Sequence, residues 1–334
     1  MAYIPKYEKV KNQLLYDIRN GRYVAGERIP TREQLIKEFQ VTRTTVNHAL
    51  KELVAEGVLV TSKRGGTVVT GNRPPLRLAY VSALVTSDIK RTVKKESERE
   101  GMLRPLLVHS TDLDLDFIDM ETATKNLDFI DRFDLVAVSM PGDSMLKKLQ
   151  KYREKVIVIN RYPEGMNFIS TNHREAVRQM TELHLRRAGS DSQIFFLNPD
   201  VGGYVHHERR EGFIDACAAS NVFYRMIEIK DASYQDIFET LMGVEFEVAR
   251  PIVMVSPTLA FTGAVLKMAA ERNLQLDRDI FYSDFDNPHS LRNTGVSLLS
   301  AVQNYQAMGE KLAEIFTSGE IEDEIKIFIP HRIV

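Results

Sequence analysis

The chain has 334 residues, more than one average domain, and its 43% hydrophobic and 27% charged residues are ordinary for a protein that buries sizeable cores. Its single cysteine, Cys217, excludes an intrachain disulfide framework. The sequence shows no signal-peptide pattern and no run of about 18 apolar residues, so we expect a cytoplasmic protein. The net charge of −2 is uneven: residues 1–75 carry 13 Lys and Arg against 7 Asp and Glu. This basic segment either faces a polyanion or reflects chance variation in surface charge.

Two helices are predicted in the first 40 residues. Apolar residues recur at helical spacing from Tyr7 to Ile18, and Gly21 follows as a stop signal. Thr31 begins the second helix with the pattern of a capping box, because Gln34 stands three residues later. The short break that follows leads directly into a third helix.

Thr42 is predicted to cap this third helix, which ends at Gly57. Two Val-rich pieces, residues 58–60 and 67–69, then alternate like the strands of a hairpin. Three helices followed by a β-hairpin form a winged helix-turn-helix. The predicted buried positions of the third helix are Val46, Leu50, Leu53 and Val54.

The polar amino end and outer face of the third helix form a candidate DNA-reading surface. Exposed N–H groups and the positive dipole end suit a phosphate, an arginine can bind a guanine edge, an asparagine can bind a base edge, and threonine methyls can contact thymine. The glycine-rich basic hairpin turn can follow the backbone or enter the minor groove. The alternatives are a capped surface turn for the helix and a solvated tip for the hairpin. The candidate residues are Arg32, Arg43, Thr44, Thr45, Asn47, Lys63, Arg64, Gly65 and Gly66.

Residues 5–69 resemble the DNA-binding domain of the GntR family of bacterial transcription regulators. The stretches that carry the resemblance are IPTREQL, VTRTTV, ALKELVAEGVL and GGT. It implies that the third helix reads the major groove and that the hairpin, the wing, contacts the flanking DNA. Arg43 and the two threonines after it match the family pattern, whereas Glu33 and Asn47 stand where many members have arginine.

The remaining residues follow a different pattern. Residues 70–76 contain adjacent prolines, which favour an extended linker. Short apolar segments then alternate with helix-like stretches, as in parallel sheets covered by helices on both faces, and about 260 residues suffice for two such sets. The predicted strands are residues 78–81, 106–108, 134–138, 156–159, 194–197, 226–229, 252–255 and 280–282.

Motifs for catalysis and for cofactor binding are missing from this body. There is no GxxxxGK[ST], GxGxxG, GxSxG or HExxH, so we predict no cofactor, no metal site and no enzyme. Neighbouring His206 and His207 project differently and lack an obvious third ligand. The acidic residues 111–119 are predicted to be a solvated helix entry, because the glycine and final glutamate of a calcium loop are absent.

The body resembles the effector domain of the LacI/GalR family, which is similar to periplasmic sugar-binding proteins. The resemblance lies in STNHREAVRQMTELHLRRAG, IFFLNPD, HERREGFIDAC, DRDIFYSDFDN and LLSAVQNYQAMGEKLAEIF. With the GntR-type head, this architecture is similar to that of the arabinose-responsive repressors called AraR. It implies a small ligand, usually a sugar, between two lobes. Arg209 in the R-x-x-G-F pattern and Asp286 in the F-D-N pattern match ligand-contacting positions; the alternative for each is a structural salt bridge.

The chain departs from this family at two places. After the predicted strand at 252–255 the chain has Ser256 and Pro257 where an Asn-Asp pair is usual, and Asn172, a third candidate effector contact, replaces a frequent aspartate. Fewer carboxylates would hold fewer sugar hydroxyls. This departure predicts a ligand with fewer hydroxyls, such as a pentose or a deoxysugar, or a pocket that has drifted to another ligand.

The sequence therefore predicts an α/β protein with three parts: a GntR-type winged helix-turn-helix (residues 1–70), a linker (71–76) and a periplasmic-binding-protein-like domain of two Rossmann-like lobes (77–334). We expect a transcription regulator that binds duplex operator DNA as a homodimer under the control of a small effector, for which the resemblance implies a monosaccharide. One alternative is a sugar-binding protein without a DNA role. The other is an enzyme of the kind in which a GntR-type head is fused to an aminotransferase-like domain, which needs a much longer chain.

Overall fold

The structure of the protein is a computed structural model. It describes residues 5–19, 21–62, 66–71, 76–83, 101–109, 113–189, 191–200, 203–230, 233–247, 249–287, 298–318 and 324–334. The chain divides into two compact units, the first made of Met1–Ile169 and Tyr305–Lys326 and the second of Ser170–Asn304 and Ile327–Val334. No helix in the described part of the chain is long and apolar enough to cross a membrane.

The first unit begins with a head of three helices and a two-stranded hairpin, as predicted. Its elements are α1 (Lys6–Arg19), α2 (Arg32–Phe39), α3 (Arg43–Ala55), β1 (Leu59–Ser62) and β2 (Gly66–Val69). The strands pair antiparallel, with Leu59 opposite Val69. Thr31 and Gln34 form both hydrogen bonds of the capping box, and the Thr42 side chain caps α3 by accepting from the Thr45 backbone N–H.

The core of the head corrects one predicted position. The buried residues of α3 are Val46, Ala49, Leu50 and Leu53. Val54, predicted to be buried, is 38% exposed. Its place is taken by Ala49, because the buried stripe of the helix runs at i, i+3, i+4 and i+7 from Val46. A correct helical period in the sequence does not decide whether the residues at the two edges of the buried stripe are buried or exposed.

The body contains two sets of strands and helices. The first set is β3 (Arg77–Ser82), α4 (Leu103–His109), β4 (Asp114–Asp119), α5 (Met120–Lys125), β5 (Leu135–Ser139), α6 (Asp143–Leu149), β6 (Val156–Ile159) and β7 (Asn167–Ser170). The second set is α7 (His173–Ala188), β8 (Gln193–Pro199), α8 (Tyr204–Ala219), β9 (Tyr224–Ile229), α9 (Tyr234–Met242), β10 (Ile252–Val255), α10 (Thr262–Glu271), β11 (Ile280–Phe285) and β12 (Leu299–Val302). The chain ends with α11 (Tyr305–Ser318), β13 (Lys326–Phe328) and β14 (Arg332–Ile333).

Each set forms one six-stranded sheet. The strand orders are β13-β7-β6-β5-β3-β4 and β14-β12-β11-β10-β8-β9. In the first sheet, neighbouring strands along the order β7-β6-β5-β3-β4 are parallel. In the second sheet, neighbouring strands along the order β12-β11-β10-β8-β9 are parallel, and β14 runs antiparallel to β12. All residues of β5, β6, β10 and β11 are buried. Buried parallel strands alternating with helices make each sheet Rossmann-like, which confirms the predicted fold class.

The segment at residues 106–108 was predicted to be a strand, and this prediction is wrong. These residues lie in helix α4, where Leu103 and Leu106 are buried while Val108 is 67% exposed. A spacing of three between buried residues is helical, and the proline at position 105 falls in the first turn, where a helix tolerates it. Three consecutive apolar residues do not distinguish a strand from a helix.

The acidic stretch at residues 111–119 was predicted to be a helix entry, and this prediction is also wrong over most of its described length. Residues 114–119 form β4, an edge strand parallel to β3. Asp114 and Asp116 are exposed while Leu115 and Phe117 are half-buried, which is the period-two alternation of an edge strand. Only Asp119 begins a helix: its side chain caps α5 by accepting from the Thr122 backbone N–H at 2.9 Å.

The other predicted strands correspond to β3, β5, β6, β8, β9, β10 and β11. Besides β4, four described strands were not predicted: β7, β12, β13 and β14. They are two to four residues long, so each offers little periodicity to read. The predicted domain boundaries stay predictions, and residues 72–75 of the linker lie outside the described residues.

Candidate functional site

The candidate DNA-reading surface lies on the outer face of α3. Arg43, Thr44 and Asn47 are exposed, while the opposite face of the helix is buried in the head core. The amino end of α3 contains no acidic residue in its first turn. Its N–H groups and the Arg43 guanidinium therefore give this end of the helix a positive potential, which suits an anionic backbone.

One of the predicted contact residues, Thr45, takes part in the N-terminal cap of α3. The Thr42 and Thr45 hydroxyl oxygens are 2.8 Å apart, and the Thr45 backbone N–H donates to the Thr42 hydroxyl at 3.3 Å. Thr45 is half-buried, whereas Thr44 is exposed. The Thr45 hydroxyl thus stabilises the start of the helix, and Thr44 presents its side chain outward.

Two further predicted contact residues bind each other. The Arg32 Nε donates to the Asn47 side-chain oxygen at 2.9 Å, which links α2 to α3 on the exposed side of the head. This hydrogen bond orients the Asn47 amide. In the wing, Gly66 has a φ of 77°, a left-handed conformation that glycine adopts without strain. Lys63, Arg64 and Gly65 lie outside the described residues.

In the second unit, Arg209 of α8 is buried, with 8% of its surface exposed. One terminal nitrogen donates to the Pro257 carbonyl at 2.6 Å, and the other lies 3.4 Å from the His173 Nδ1. The guanidinium carbon lies 3.5 Å from the centre of the Phe285 ring. Arg209 is thereby held at the carboxyl ends of β10 and β11, the side of a parallel sheet where ligands bind.

The R-x-x-G-F pattern that contains Arg209 has a packing explanation. A Cβ atom added to Gly212 would lie 2.0 Å from the Arg174 carbonyl oxygen, so only glycine allows α8 to pack this closely on α7. Phe213 is fully buried in the core of this lobe. The glycine and the phenylalanine fix the position of α8, and α8 in turn fixes Arg209.

The other two candidate effector contacts adjoin the same residues. Asp286 follows Phe285 at the end of β11, has a φ of 69° and accepts a hydrogen bond from Gln303 at 3.1 Å. Asn172 precedes His173 and caps α7 by accepting from the Glu175 backbone N–H at 3.0 Å. The structure therefore brings the three predicted contacts around His173 and Phe285, although the Asn172 side chain is already engaged in the cap.

Sequence reasoning missed a buried carboxylate beside this site. Asp284, near the end of β11, is fully buried. Its Oδ2 accepts from the Thr262 hydroxyl at 2.5 Å and from the Asn287 amide at 2.8 Å, and the Asn287 backbone N–H donates to the Ser300 hydroxyl at 3.0 Å. This network fixes the turn that presents Asp286. A charged residue inside an otherwise buried strand is the signal that could have identified it.

Burial shifts the titration of this network. Desolvation raises the pKa of Asp284, while its hydrogen bonds from Thr262, Asn287 and Ser300 act in the opposite direction. Burial also raises the pKa of Tyr282, whose hydroxyl lies 3.0 Å from that of Thr262, and the Asp284 charge adds to this shift. A carboxyl group with a raised pKa retains its proton to a higher pH and can then donate a hydrogen bond.

The first unit carries polar residues at the corresponding ends of its own strands. Ser82, Ser139 and Asn160 are buried at or just after the carboxyl ends of β3, β5 and β6. Asn160 has a φ of 59°, a conformation that non-glycine residues adopt mainly where the surrounding structure demands it. Burial raises the pKa of Tyr80, in β3, to about 12, so its phenol stays protonated. None of these residues was singled out from the sequence.

Residues 6–69 match the family model described as "Bacterial regulatory proteins, gntR family". Among curated proteins, the chain is 37% identical over 97 residues to the "Probable fructoselysine utilization operon transcriptional repressor" of Escherichia coli; this match covers 28% of the chain and 40% of that protein. It is 31% identical over 120 residues to the "Arabinose metabolism transcriptional repressor" of Geobacillus stearothermophilus, covering 33% of the chain and 32% of that protein. The matches thus span less than half of these relatives.

Solved structures resemble the body of the chain. The trehalose repressor from Escherichia coli superposes with a TM-score of 0.57 at 12% sequence identity, over 77% of this chain and 98% of that one. Such low identity establishes the fold alone. The protein therefore joins a GntR-type winged helix-turn-helix to a body with the fold of the LacI-type regulators.

Proposed function

We propose that this protein is a transcription regulator whose head binds operator DNA through α3 and whose second lobe binds a small effector. The observation that carries the DNA-binding role is the exposed amino end of α3, where Arg43 and Thr44 face outward from a capped and otherwise buried helix. A free helix end with an adjacent guanidinium fits a phosphate or a guanine edge. The curated relatives are repressors, which supports the same role.

The proposed effector is a monosaccharide held by Arg209 and Asp286. A guanidinium stacked on Phe285 and a carboxylate fixed by Gln303 match the fork-like hydrogen bonds that recognise neighbouring hydroxyls. The curated relative named for arabinose supports a carbohydrate. The residues after β10 supply no carboxylate, so we propose a pentose or a deoxysugar rather than a fully hydroxylated hexose.

We further propose that the protein acts as a cytoplasmic homodimer. Two heads related by a twofold axis would read the two halves of a palindromic operator. Effector and operator would then be coupled reciprocally, each changing the affinity for the other by the same factor. Sedimentation of the free protein and of its DNA complex would give the stoichiometry, and a single head per operator would contradict the dimer.

The first experiment tests the DNA-binding face. Fluorescence anisotropy would measure binding to a duplex selected by the wild-type protein from a random library. Arg43→Ala is expected to weaken binding by about 1–3 kcal/mol, since one specific contact is lost. Lys37→Ala, which removes an exposed cation from the last turn of α2, is the matched control and should change binding little. If the two variants lose the same amount of DNA affinity, Arg43 contributes only nonspecific positive charge.

The second experiment tests the effector site by calorimetric titration with pentoses, deoxysugars and hexoses. Arg209→Ala is expected to abolish binding of the sugar that the wild-type protein prefers, while operator binding by the head is retained. Arg210→Ala removes the next, partly exposed arginine of the same helix and should leave sugar binding unchanged. Undiminished sugar binding in Arg209→Ala would refute the site, and preference for a fully hydroxylated hexose would refute the proposed ligand class.

A further inference from the structure

Helix α1 buries polar residues that the head does not explain. Val10, Leu14, Leu15 and Ile18 pack in the head core. Asn12 is nevertheless only 3% exposed, and the Arg19 side chain is 7% exposed. Burial of an amide and of a guanidinium is costly unless each is paired. Their partners identify a second surface that α1 covers.

Those partners belong to the first lobe, which is part of the same compact unit. The Asn12 amide donates to the Asp131 carbonyl at 2.9 Å, and its oxygen accepts from the Arg77 guanidinium. The Arg19 guanidinium forms an ion pair with the Asp134 carboxylate, which is 3% exposed. We call Asn12, Arg19, Arg77 and Asp134 the latch.

The first-lobe side of the latch, Arg77 and Asp134, is built into the first sheet. Arg77 begins β3 and Asp134 directly precedes β5. The Arg77 backbone N–H donates to the Asp134 carboxylate at 2.8 Å, and the Asp134 backbone N–H donates to the Arg77 carbonyl at 2.8 Å. Asp134 therefore cannot move without disturbing the pairing of these strands. A head bound to it is bound to the sheet rather than to a loop.

A third cation supports the same contact. The Lys155 ammonium lies 5.7 Å from the centre of the Tyr16 ring of α1 and 3.4 Å from the Phe133 carbonyl. Burial lowers the pKa of Lys155, and the charges of Arg77 and Arg19 lower it further while Asp134 and Asp131 oppose the shift. Beside the latch, a cavity of about 150 Å³ is lined by charged side chains of both parts, including Lys11 and Asp116. Charged side chains thus form most of the contact between α1 and the first lobe.

The latch leaves the candidate DNA-reading surface uncovered. Arg43, Thr44 and Asn47 are exposed in the structure in which the latch is formed. The latch therefore orients the recognition helix without blocking it.

We propose that the latch joins the winged-helix head and the first lobe into a single body, so that the recognition helix follows any displacement of that lobe. The transmission of an effector signal by this route depends on the proposed function. The latch itself does not, and its test needs neither DNA nor a ligand.

Hydrogen exchange measured by mass spectrometry on the full chain provides the test. Arg19→Met removes the charge of the latch from the head side while keeping an apolar stem of similar length. It is expected to speed exchange about tenfold or more in α1 and in the first-lobe segment Leu127–Arg132, because the buried Asp134 loses the closer of its ion pairs and keeps only the longer one to Arg77. Arg22→Met is the matched control, since Arg22 is largely exposed and pairs with Asp17 inside the head.

Asp134→Asn, made from the lobe side, should increase exchange in α1 as well, and combining it with Arg19→Met should add little. Exchange in α3 distinguishes release from unfolding, because α1 and α3 share the head core but only α1 loses contacts with the first lobe. The proposal is overturned if Arg19→Met exchanges like Arg22→Met and the wild-type protein, or if α3 loses protection together with α1.

Discussion

The two candidate sites of this chain each depend on an arginine, and the two arginines are placed in opposite ways. Arg43 is exposed at the first turn of α3, and its neighbours in sequence build the surface around it. Arg209 is 8% exposed and contacts Pro257 and His173, which are 48 and 36 residues away in sequence. One site is assembled locally and the other by the packing of distant segments.

This difference determines what each site depends on. The head surface needs a capped helix and a small core, so its affinity for DNA responds to the residues that touch DNA. The site in the second lobe needs the correct spacing of α7, α8, β10 and β11, so residues that never touch a ligand should control it. Changes away from both sites therefore test the comparison.

The largest effect is expected for Gly212→Ala. The added methyl group would lie 2.0 Å from the Arg174 carbonyl oxygen, so α8 must move away from α7 and Arg209 must move with it. Overpacking of this kind costs about 1–3 kcal/mol of stability and occasionally more. Sugar binding measured by calorimetry should fall below detection, while operator binding measured by anisotropy is retained.

Gly203→Ala is the control for that substitution. Gly203 is the N-cap of the same helix, has an extended backbone, and nothing lies within 4 Å of a Cβ added there. This variant should bind sugar as the wild-type protein does. If Gly212→Ala also binds sugar normally, the spacing of α7 and α8 does not control the site.

A smaller effect is expected from pH, through the buried His184 of α7. Burial, together with a smaller effect of the Arg187 charge, lowers the pKa of His184 to about 3. Between that value and the ordinary pKa near 6.5, the unfolded state binds a proton that the folded state rejects, so stability falls as the pH falls. The loss is about 2 kcal/mol between pH 7 and pH 5. Hydrogen exchange in β11 at these two pH values should reveal it.

His184→Leu should remove this part of the acid sensitivity, because no proton can then be taken up on unfolding. His207→Gln is the control, since His207 lies on the exposed side of α8. The test is the difference between pH 7 and pH 5 within each variant, so any change in packing caused by the leucine cancels. A slope for His184→Leu equal to that of the wild-type protein would show that His184 takes no part in the acid response.

The local origin of the head explains why its elements were predictable. The capping box of Thr31 and Gln34 and the cap at Thr42 are set by residues three positions apart. The two errors have different origins. The apolar run that contains Leu106 was too short to distinguish a strand from a helix, whereas the alternation around Asp116 was a strand period that was interpreted as a solvated helix entry.

The site in the second lobe was predictable only in part. Arg209 and Asp286 stand in patterns that a family resemblance carries over, but Asp284 matches no such pattern. Its role depends on hydrogen bonds to Thr262, 22 residues away, and to Asn287 in the turn after β11. The register of β10 and β11 decides which side chains meet, and this register is not written in either segment alone.

The smallest expected effect concerns the candidate DNA-reading surface of the head. It tests whether the residues of this surface act independently of one another. Arg32 holds the oxygen of Asn47 at 2.9 Å, so Arg32→Ala should both remove a cation and release the Asn47 amide. The cost of Asn47→Ala in operator affinity should therefore be smaller in the Arg32→Ala background than in the wild-type background, with a coupling of about 0.5–1 kcal/mol. Anisotropy titrations of the four proteins with one duplex give this coupling.

Thr44→Ala combined with Arg32→Ala is the matched control, a pair without such a contact. The losses of operator affinity caused by these two substitutions should be additive. If Arg32 and Asn47 are also strictly additive, their hydrogen bond does not persist on DNA and each side chain acts alone. A measurable coupling would instead mean that even this locally built surface contains one oriented pair, which joins two helices of the head. The two sites would then differ only in the number of side chains that the protein orients before DNA or an effector binds.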